Sequence, residues 1–294
     1  MVHHNPYVLR LKRFADATDQ ELIHSWQVCA KITKRAAQNF FYAFLFLPRE
    51  NRNGIYALYA FCRASDDAAD DGHKNPISLI EELKEKLRNC YDGYYTDSIT
   101  LALAATIKRF KLPRKHFEDL FLGLEADING INIANFGDLK LYCYRVAVTV
   151  GLLCLHIFEY DDSTSRLYAE KIGYGMQLTN VLRDIGEDYR RQRIYLPHED
   201  MEKFGLNRAN FFDSVNSGKL QRLVEWEGKR ANTYFKEADS LYGNGLPSKL
   251  KVAGIMAAFY REILKMVVKN DRSSGRPTLT RRQKLSIAYK AMLA

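Results

Sequence analysis

The sequence predicts an all-α fold on three observations. Apolar residues recur at helical spacing almost throughout, no stretch alternates strictly, and most prolines fall between periodic segments rather than inside them. With 47% hydrophobic residues, 16 Phe and 18 Tyr in 294 residues, there is ample material for a large core and no compositional sign of disorder. No linker rich in Gly, Ser or Pro and no repeat of fixed period divides the chain, so residues 1–294 are expected to form a single domain.

Taken in order, the periodicity predicts helices over Asp19 to Phe46, Pro48 to Asp71, Pro76 to Tyr91, Ser98 to Phe110, Pro113 to Ile128, Phe136 to Phe158 and Ser163 to Arg190. A stretch near Asn207 to Val215 follows, then Lys219 to Tyr242, Pro247 to Asn270 and a last helix from Thr280. Pro48, Pro76 and Pro113 suit a first helical turn, where a missing N–H costs nothing, and Asp19 and Ser163 suit caps. Ile55 to Cys62 is apolar on every side, as expected of a helix inside a bundle.

Five cysteines without a paired short spacing point to reduced, mostly buried thiols, and against a disulfide framework or a zinc site. The N-terminus shows no basic segment followed by an apolar stretch, and the longest apolar run, Val146 to Phe158, falls short of a bilayer span, so a cytoplasmic chain is expected. The net charge of +9 raises the local concentration of anionic partners, but its densest stretches do not read as a nucleic-acid surface. These are Arg190, Arg191 and Arg193, and Arg272, Arg276, Arg281, Arg282 and Lys284. They suit solvated helix faces, a phosphorylated small molecule or an anionic lipid surface. Any membrane association is expected to be peripheral, at the inner face, through residues such as Lys251, Lys265 and Lys269.

The chemistry lies in two acidic clusters. In the first, Arg63 to Asp71, Asp66 and Asp70 stand four apart, with Arg63 and Tyr59 on the same side of a helix and Asp67 beside them. Like charges at the end of a buried helix repel unless a cation is shared, and Mg2+ suits one or two carboxylates plus substrate phosphates. The second cluster spaces Asn180, Asp184 and Asp188 by four, with Gln177 a turn earlier, and Leu178, Val181, Leu182 and Ile185 supply the buried back. Either cluster alone suits a solvated helix face. Two in one helical chain suggest metal-bridged diphosphate binding.

Around these clusters the sequence resembles the squalene and phytoene synthase family. The resemblance is carried by Asn39 to Phe44, Ile55 to Asp67, Leu141 to Ala147 and Gln177 to Tyr195, above all by Asn180 to Asp188 followed by Arg193-Ile194-Tyr195-Leu196-Pro197. It implies an isoprenoid-synthase (terpenoid synthase) fold of antiparallel helices around a central cavity. It also implies an Mg2+-dependent prenyltransferase, with Mn2+ as a substitute, that joins two prenyl diphosphates head to head. Carried over by residue, Asp66, Asp67 and Asp70 match the first metal motif, Asp184 and Asp188 the second, and Asn180 and Gln177 support metal and diphosphate. Arg63 and Arg183 would hold phosphate oxygens, and Tyr59, Tyr142 and Tyr195 match tyrosines lining the reacting region. Phe40, Phe44, Tyr56 and Phe61 suit a dry wall, and suit a plain core equally well.

The stretch Tyr142 to Leu155 is most similar to bacterial presqualene diphosphate synthases of the hopanoid pathway. Bulky Phe44 and Tyr56 favour two farnesyl diphosphates, giving presqualene diphosphate or, beyond it, squalene or dehydrosqualene. Phytoene synthesis from geranylgeranyl diphosphate, a carotenoid step, is the rival. Val148 stands where many relatives carry Gly, and Ala37 and Asn39 where several carry Ser. There is no dinucleotide-binding glycine motif, so a role for NADPH is not called by pattern, and nothing speaks to oligomeric state. A non-catalytic scaffold would be expected to lose the paired aspartates, and both sets are intact. The segment Arg193 to Pro197 speaks against a terpene cyclase.

Overall fold

The computed structural model describes residues 11–36, 38–69, 75–211, 218–243, 245–269 and 276–293. Its contacts gather into two compact units, one of Met1–Gln38 with Pro48–Leu112 and one of Asn39–Leu47 with Pro113–Ala294.

The first unit holds α1 (Asp19–Ala36), α3 (Arg49–Ala69), α4 (Pro76–Tyr91) and α5 (Ser98–Phe110), with α1 and α4 each packed on both α3 and α5. The all-round apolar stretch of α3 does what its composition demands: Ile55, Leu58 and Phe61 are at most 2% exposed. Burying three such side chains stabilises by roughly 1.5–3 kcal/mol each. Each helix start has a local cause. Thr18 and Glu21 form a reciprocal cap at α1, Asn75 accepts from Ser78 N–H ahead of Pro76, and Asp97 and Thr100 close a capping box on α5. A two-residue antiparallel pair, β1 (Lys12–Arg13) with β2 (Tyr94–Tyr95), had no signal in the periodicity.

The second unit contains α2 (Gln38–Phe44, from Asn39 on), α6 (Arg114–Ile128), α7 (Phe136–Cys143), α8 (Thr149–Phe158), α9 (Ser163–Arg190), α10 (His198–Lys203), α11 (Gly218–Ser240), α12 (Lys251–Val268) and α13 (Arg281–Leu293). Its centre is α9, 28 residues long, against which α7, α8, α11 and α12 pack. The α9–α11 approach is close because Gly175 faces Phe235; a Cβ at Gly175 would lie 2.9 Å from that ring.

Several sequence expectations need correction. The span Asp19 to Phe46 is helical over Asp19–Ala36 and Gln38–Phe44, and from Asn39 on it belongs with the second unit. Its apolar side changes character there, from the small Ser25, Cys29 and Thr33 of α1 to aromatics in α2. The caps of α1 and α9 are Thr18 and Asp162, one residue before Asp19 and Ser163. Phe136 to Phe158 is interrupted by a π-helical turn, Tyr144–Val148. Counted whole, Phe136–Phe158 is long and apolar enough to cross a membrane, unlike the shorter run read from the sequence. It instead packs between α6 and α9. The helix α10 was not foreseen, and the stretch near Asn207 to Val215 is described only as far as Phe211, its remainder lying outside the described residues. The cysteines are free, with Cys29, Cys62, Cys90 and Cys143 buried. Burial pushes the Cys29 and Cys90 thiols up to about 12.

Candidate active site

Each unit carries one acidic helix face. In the first, α3 runs from its buried middle into a last turn where Asp66 and Asp67 are exposed. Arg63 makes an ion pair with Asp67, one turn on. Burial works against the Arg63 charge, but the bond to Asp67 and the charges of Asp67 and Asp66 hold its pKa above the ordinary value. Tyr59 is half-buried one turn earlier and Tyr56 is 5% exposed. Asp70 lies outside the described residues.

In the second unit the polar stripe of α9 is in place. Asn180 Nδ2 donates to Gln177 Oε1 at 3.1 Å, while Asn180 Oδ1 is buried without a partner. One turn on, Asp184 is gripped on two sides: Arg183 donates to its two oxygens at 2.8 and 2.7 Å, and Arg276 donates to the same two at 2.8 Å each. Burial raises the Asp184 carboxyl, and the two guanidiniums more than cancel this, leaving it below its ordinary value. For Arg183 burial is likewise outweighed, by bonds to Asp184 and the Tyr260 hydroxyl. Asp188 has no such support. Burial, then the charges of Asp184, Glu187 and Asp127, push its carboxyl up to about 7.

Next to this stripe lies a group the sequence reading only half found. Tyr142, at the end of α7, and Tyr195 stack with centroids 5.0 Å apart, and both hydroxyls donate to Asp127 on α6, at 3.1 and 2.8 Å. Burial raises both phenols far above their ordinary range. The chain path explains the convergence. α6 ends at Asn129 and Gly130, whose φ of +84° favours glycine. The segment after α9 turns back through Gln192, and His198 and Glu199 N–H donate to the carbonyls of Ile133 and Ala134. That tie buries Ile194, Tyr195 and Leu196 beside the end of α6. The π turn, Tyr144–Val148, begins two residues after Tyr142, and it fits because two facing residues lack a Cβ. A Cβ at Gly123 would lie 2.5 Å from Val146, and one at Gly173 3.0 Å from the Val148 backbone. Val148 is thus buried against α9.

Of the aromatic wall, Phe40 stacks on Tyr260 at 5.7 Å and lies 6.2 Å from Phe44, all in the second unit; Phe44 is 3% exposed. Tyr56 and Phe61 belong to the core of the first unit. Asp127, Arg276 and Tyr260 were not singled out as site residues from the sequence. Asp127 is one acid among several on an amphipathic helix, and Arg276 was read only as part of a basic stretch.

The α9 stripe fits a divalent cation. It offers only oxygen ligands, and the Asn180 oxygen is buried with its bonding capacity unused. Among the described residues no three carboxylate, imidazole or thiol groups form a metal cluster. An ion held here would complete its shell with water and phosphate oxygens, as Mg2+ does.

Comparison with known proteins identifies the family. The squalene/phytoene synthase family profile matches residues 33–283, across both units. The chain is 33% identical over 281 residues to the phytoene synthase of Mycobacterium tuberculosis, covering 93% of this chain and 90% of that one. It is 30% identical over 258 residues to the chloroplastic phytoene synthase 1 of Zea mays, covering 85% of this chain but 63% of the maize protein's length. A crystal structure of a dehydrosqualene synthase in complex with a ligand superposes with a TM-score of 0.82 at 29% identity, covering 92% of this chain and 96% of that one. The all-helical fold is shared, and the chain belongs to the squalene/phytoene synthase family.

Proposed function

We propose that the chain is a transferase that joins two prenyl diphosphates head to head, 1'-1, with release of diphosphate. The observation that carries this reading is the α9 face, where Asp184 is held between Arg183 and Arg276 beside an unpartnered Asn180 oxygen. Such a face offers fixed positive charge and oxygen ligands together, which an allylic diphosphate needs in order to leave. Mg2+, or Mn2+ in its place, supplies the positive charge that stabilises the departing diphosphate.

The chain's own residues do the rest. Arg63, Arg183 and Arg276 take phosphate oxygens, with Gln177 orienting Asn180. Asp66, Asp67 and Asp70 serve as the second set of acidic ligands. When the C1–O bond of one substrate breaks, its electron pair leaves with the diphosphate. The double bond of the second substrate then attacks the allylic cation, and loss of a proton closes a cyclopropane. Phe40, Phe44 and Tyr260 exclude water that would quench the cation. Asp127 fixes Tyr142 and Tyr195 with their ring edges and hydroxyls in one arrangement.

For the substrate, the likeness to a dehydrosqualene synthase supports two farnesyl diphosphates, giving presqualene diphosphate. A second reading, two geranylgeranyl diphosphates giving phytoene, is supported by relatives bearing the phytoene synthase name at 30 to 33% identity. Purified protein with Mg2+ and each labelled diphosphate, with and without NADPH, separates them by product mass. Turnover of farnesyl diphosphate to presqualene diphosphate is expected; preferential turnover of geranylgeranyl diphosphate would assign the phytoene reaction instead, and no carbon–carbon joining of either would end the proposal.

A further inference from the structure

The last helix, α13, carries a face that the proposed chemistry does not use. It is firmly built: Thr280 and Gln283 cap its start reciprocally, it packs on α12, and Lys251 Nζ donates to the carbonyl of Met292 at its far end. The contact between the beginning of α12 and the end of α13 means that the two run antiparallel. Ala288 and Lys284 face inward, 3% and 6% exposed. At 100° per residue, Leu285, Tyr289 and Met292 form a strip beside that buried line, with Arg281 and Arg282 flanking it.

The strip is open where helix faces of a monomer usually are not. Leu285 is 53% and Tyr289 67% exposed, side by side at i and i+4. The charge around it has one sign. The helix carries Arg281, Arg282, Lys284 and Lys290 and no acidic residue, and among the described residues no carboxylate pairs with Arg281, Arg282 or Lys290. An exposed Leu and Tyr framed by unpaired cations match an interface that is apolar beneath and anionic at its rim. A second protein would have to bring both an apolar groove and a ring of acids to the same place; a phospholipid surface presents both everywhere. By contrast Lys251 and Lys265, read from the sequence as membrane-facing, are engaged with Met292 and Glu262.

We propose that α13 docks the protein on an anionic lipid surface, inserting Leu285 and Tyr289 below headgroups held by Arg281, Arg282 and Lys290. The inference does not depend on the proposed reaction, since docking is read without substrate. Five-residue proximity in sequence links this helix to Arg276 on the α9 face, so substrates dissolved in a bilayer would meet the protein on the unit that carries that face.

Vesicle flotation tests it, with full-length protein and vesicles of phosphatidylcholine alone or with about a third phosphatidylglycerol. The protein is expected to float with the mixed vesicles at about 0.1 M salt and to be largely released at about 0.5 M. Leu285→Ser/Tyr289→Ser and Arg281→Gln/Arg282→Gln are each expected to weaken binding at least about tenfold, with unchanged circular dichroism because all four positions are exposed. Failure of the parent to float with anionic vesicles, or parent-like flotation of both variants, overturns the proposal. So does a dimer in sedimentation that Leu285→Ser/Tyr289→Ser dissociates without any effect on vesicle binding, which would make the strip a contact between copies of this chain.

Discussion

Asp184 and Asp188 sit one turn apart on α9 and are treated oppositely by their surroundings. Asp184 is compensated by Arg183 and Arg276, whereas Asp188 is half-buried near three other acids and has its carboxyl lifted to about 7. Replacing Asp184 by Asn removes the acceptor for two guanidiniums, one of them only 11% exposed, and takes an oxygen ligand from the stripe. Diphosphate release is expected to fall by at least about a hundredfold, as read in a coupled pyrophosphate assay, with a lower melting temperature from the uncompensated Arg183. Asp127 acts at one remove. Asp127→Asn leaves the α9 ligands in place but keeps only one oxygen to accept a phenol proton and sets an NH2 donor against the other hydroxyl. A fall in kcat of about ten- to a hundredfold with KM little changed is expected; a change in KM alone would show that Asp127 only helps bind substrate.

Also at the residue scale, Glu227 on α11 is 1% exposed and shares Arg230 with the fully buried Asp200. Burial pushes its carboxyl up to about 7 from the ordinary 4.5. The folded chain therefore holds a proton that the unfolded chain has already lost between those values, so this group's contribution to stability falls as pH rises from about 4.5 to 7 and is flat beyond. The span corresponds to roughly 3 kcal/mol at most, since the charge is coupled to Asp200. Glu227→Gln keeps the shape without the ionisation. Its stability relative to the parent is expected to increase from pH 5 to pH 8 in urea melts; a constant difference across that range would contradict the assignment.

At the scale of the element, the π turn after Tyr142 is the part of the site most sensitive to packing. Gly173→Ala would drive a Cβ to within 3.0 Å of the Val148 backbone, which cannot swing aside as a side chain can. The expected cost is about 1–3 kcal/mol, visible in thermal melts, with a loss of activity as Tyr142 shifts. Unchanged stability would mean that the turn yields freely. Helix existence was legible in the sequence because the apolar period is strong: α4, α5 and α9 run over the spans that their apolar stripes predict, and Pro76 marks the start of α4. The π turn was not legible, because inserting one residue into the ladder leaves Tyr144-Arg145-Val146-Ala147-Val148 still reading as apolar helix. Neither was α10, whose six residues are too short to show a period. The α9 stripe was legible in full as a spacing of four. Its partners Arg276 and Asp127 were not, since each reaches the site through tertiary contact from a distant segment.

At the scale of the whole molecule, the two acidic faces belong to different units, Asp66 and Asp67 to one and Asp184 and Asp188 to the other, and a single family profile spans both. The proposed function assigns Asp66 and Asp184 to the same ionisation step. If both sets of acidic ligands act in that step, loss of either one slows it. The most direct measurement is single-turnover release of diphosphate from labelled farnesyl and geranylgeranyl diphosphates by the parent, by Asp66→Asn and by Asp184→Asn, each at saturating Mg2+. Either substitution is expected to slow release of the preferred substrate's diphosphate by about two orders of magnitude or more. Release at the parental rate by Asp66→Asn, with Asp184→Asn inactive, would contradict it, because one face would then be ionising substrate by itself.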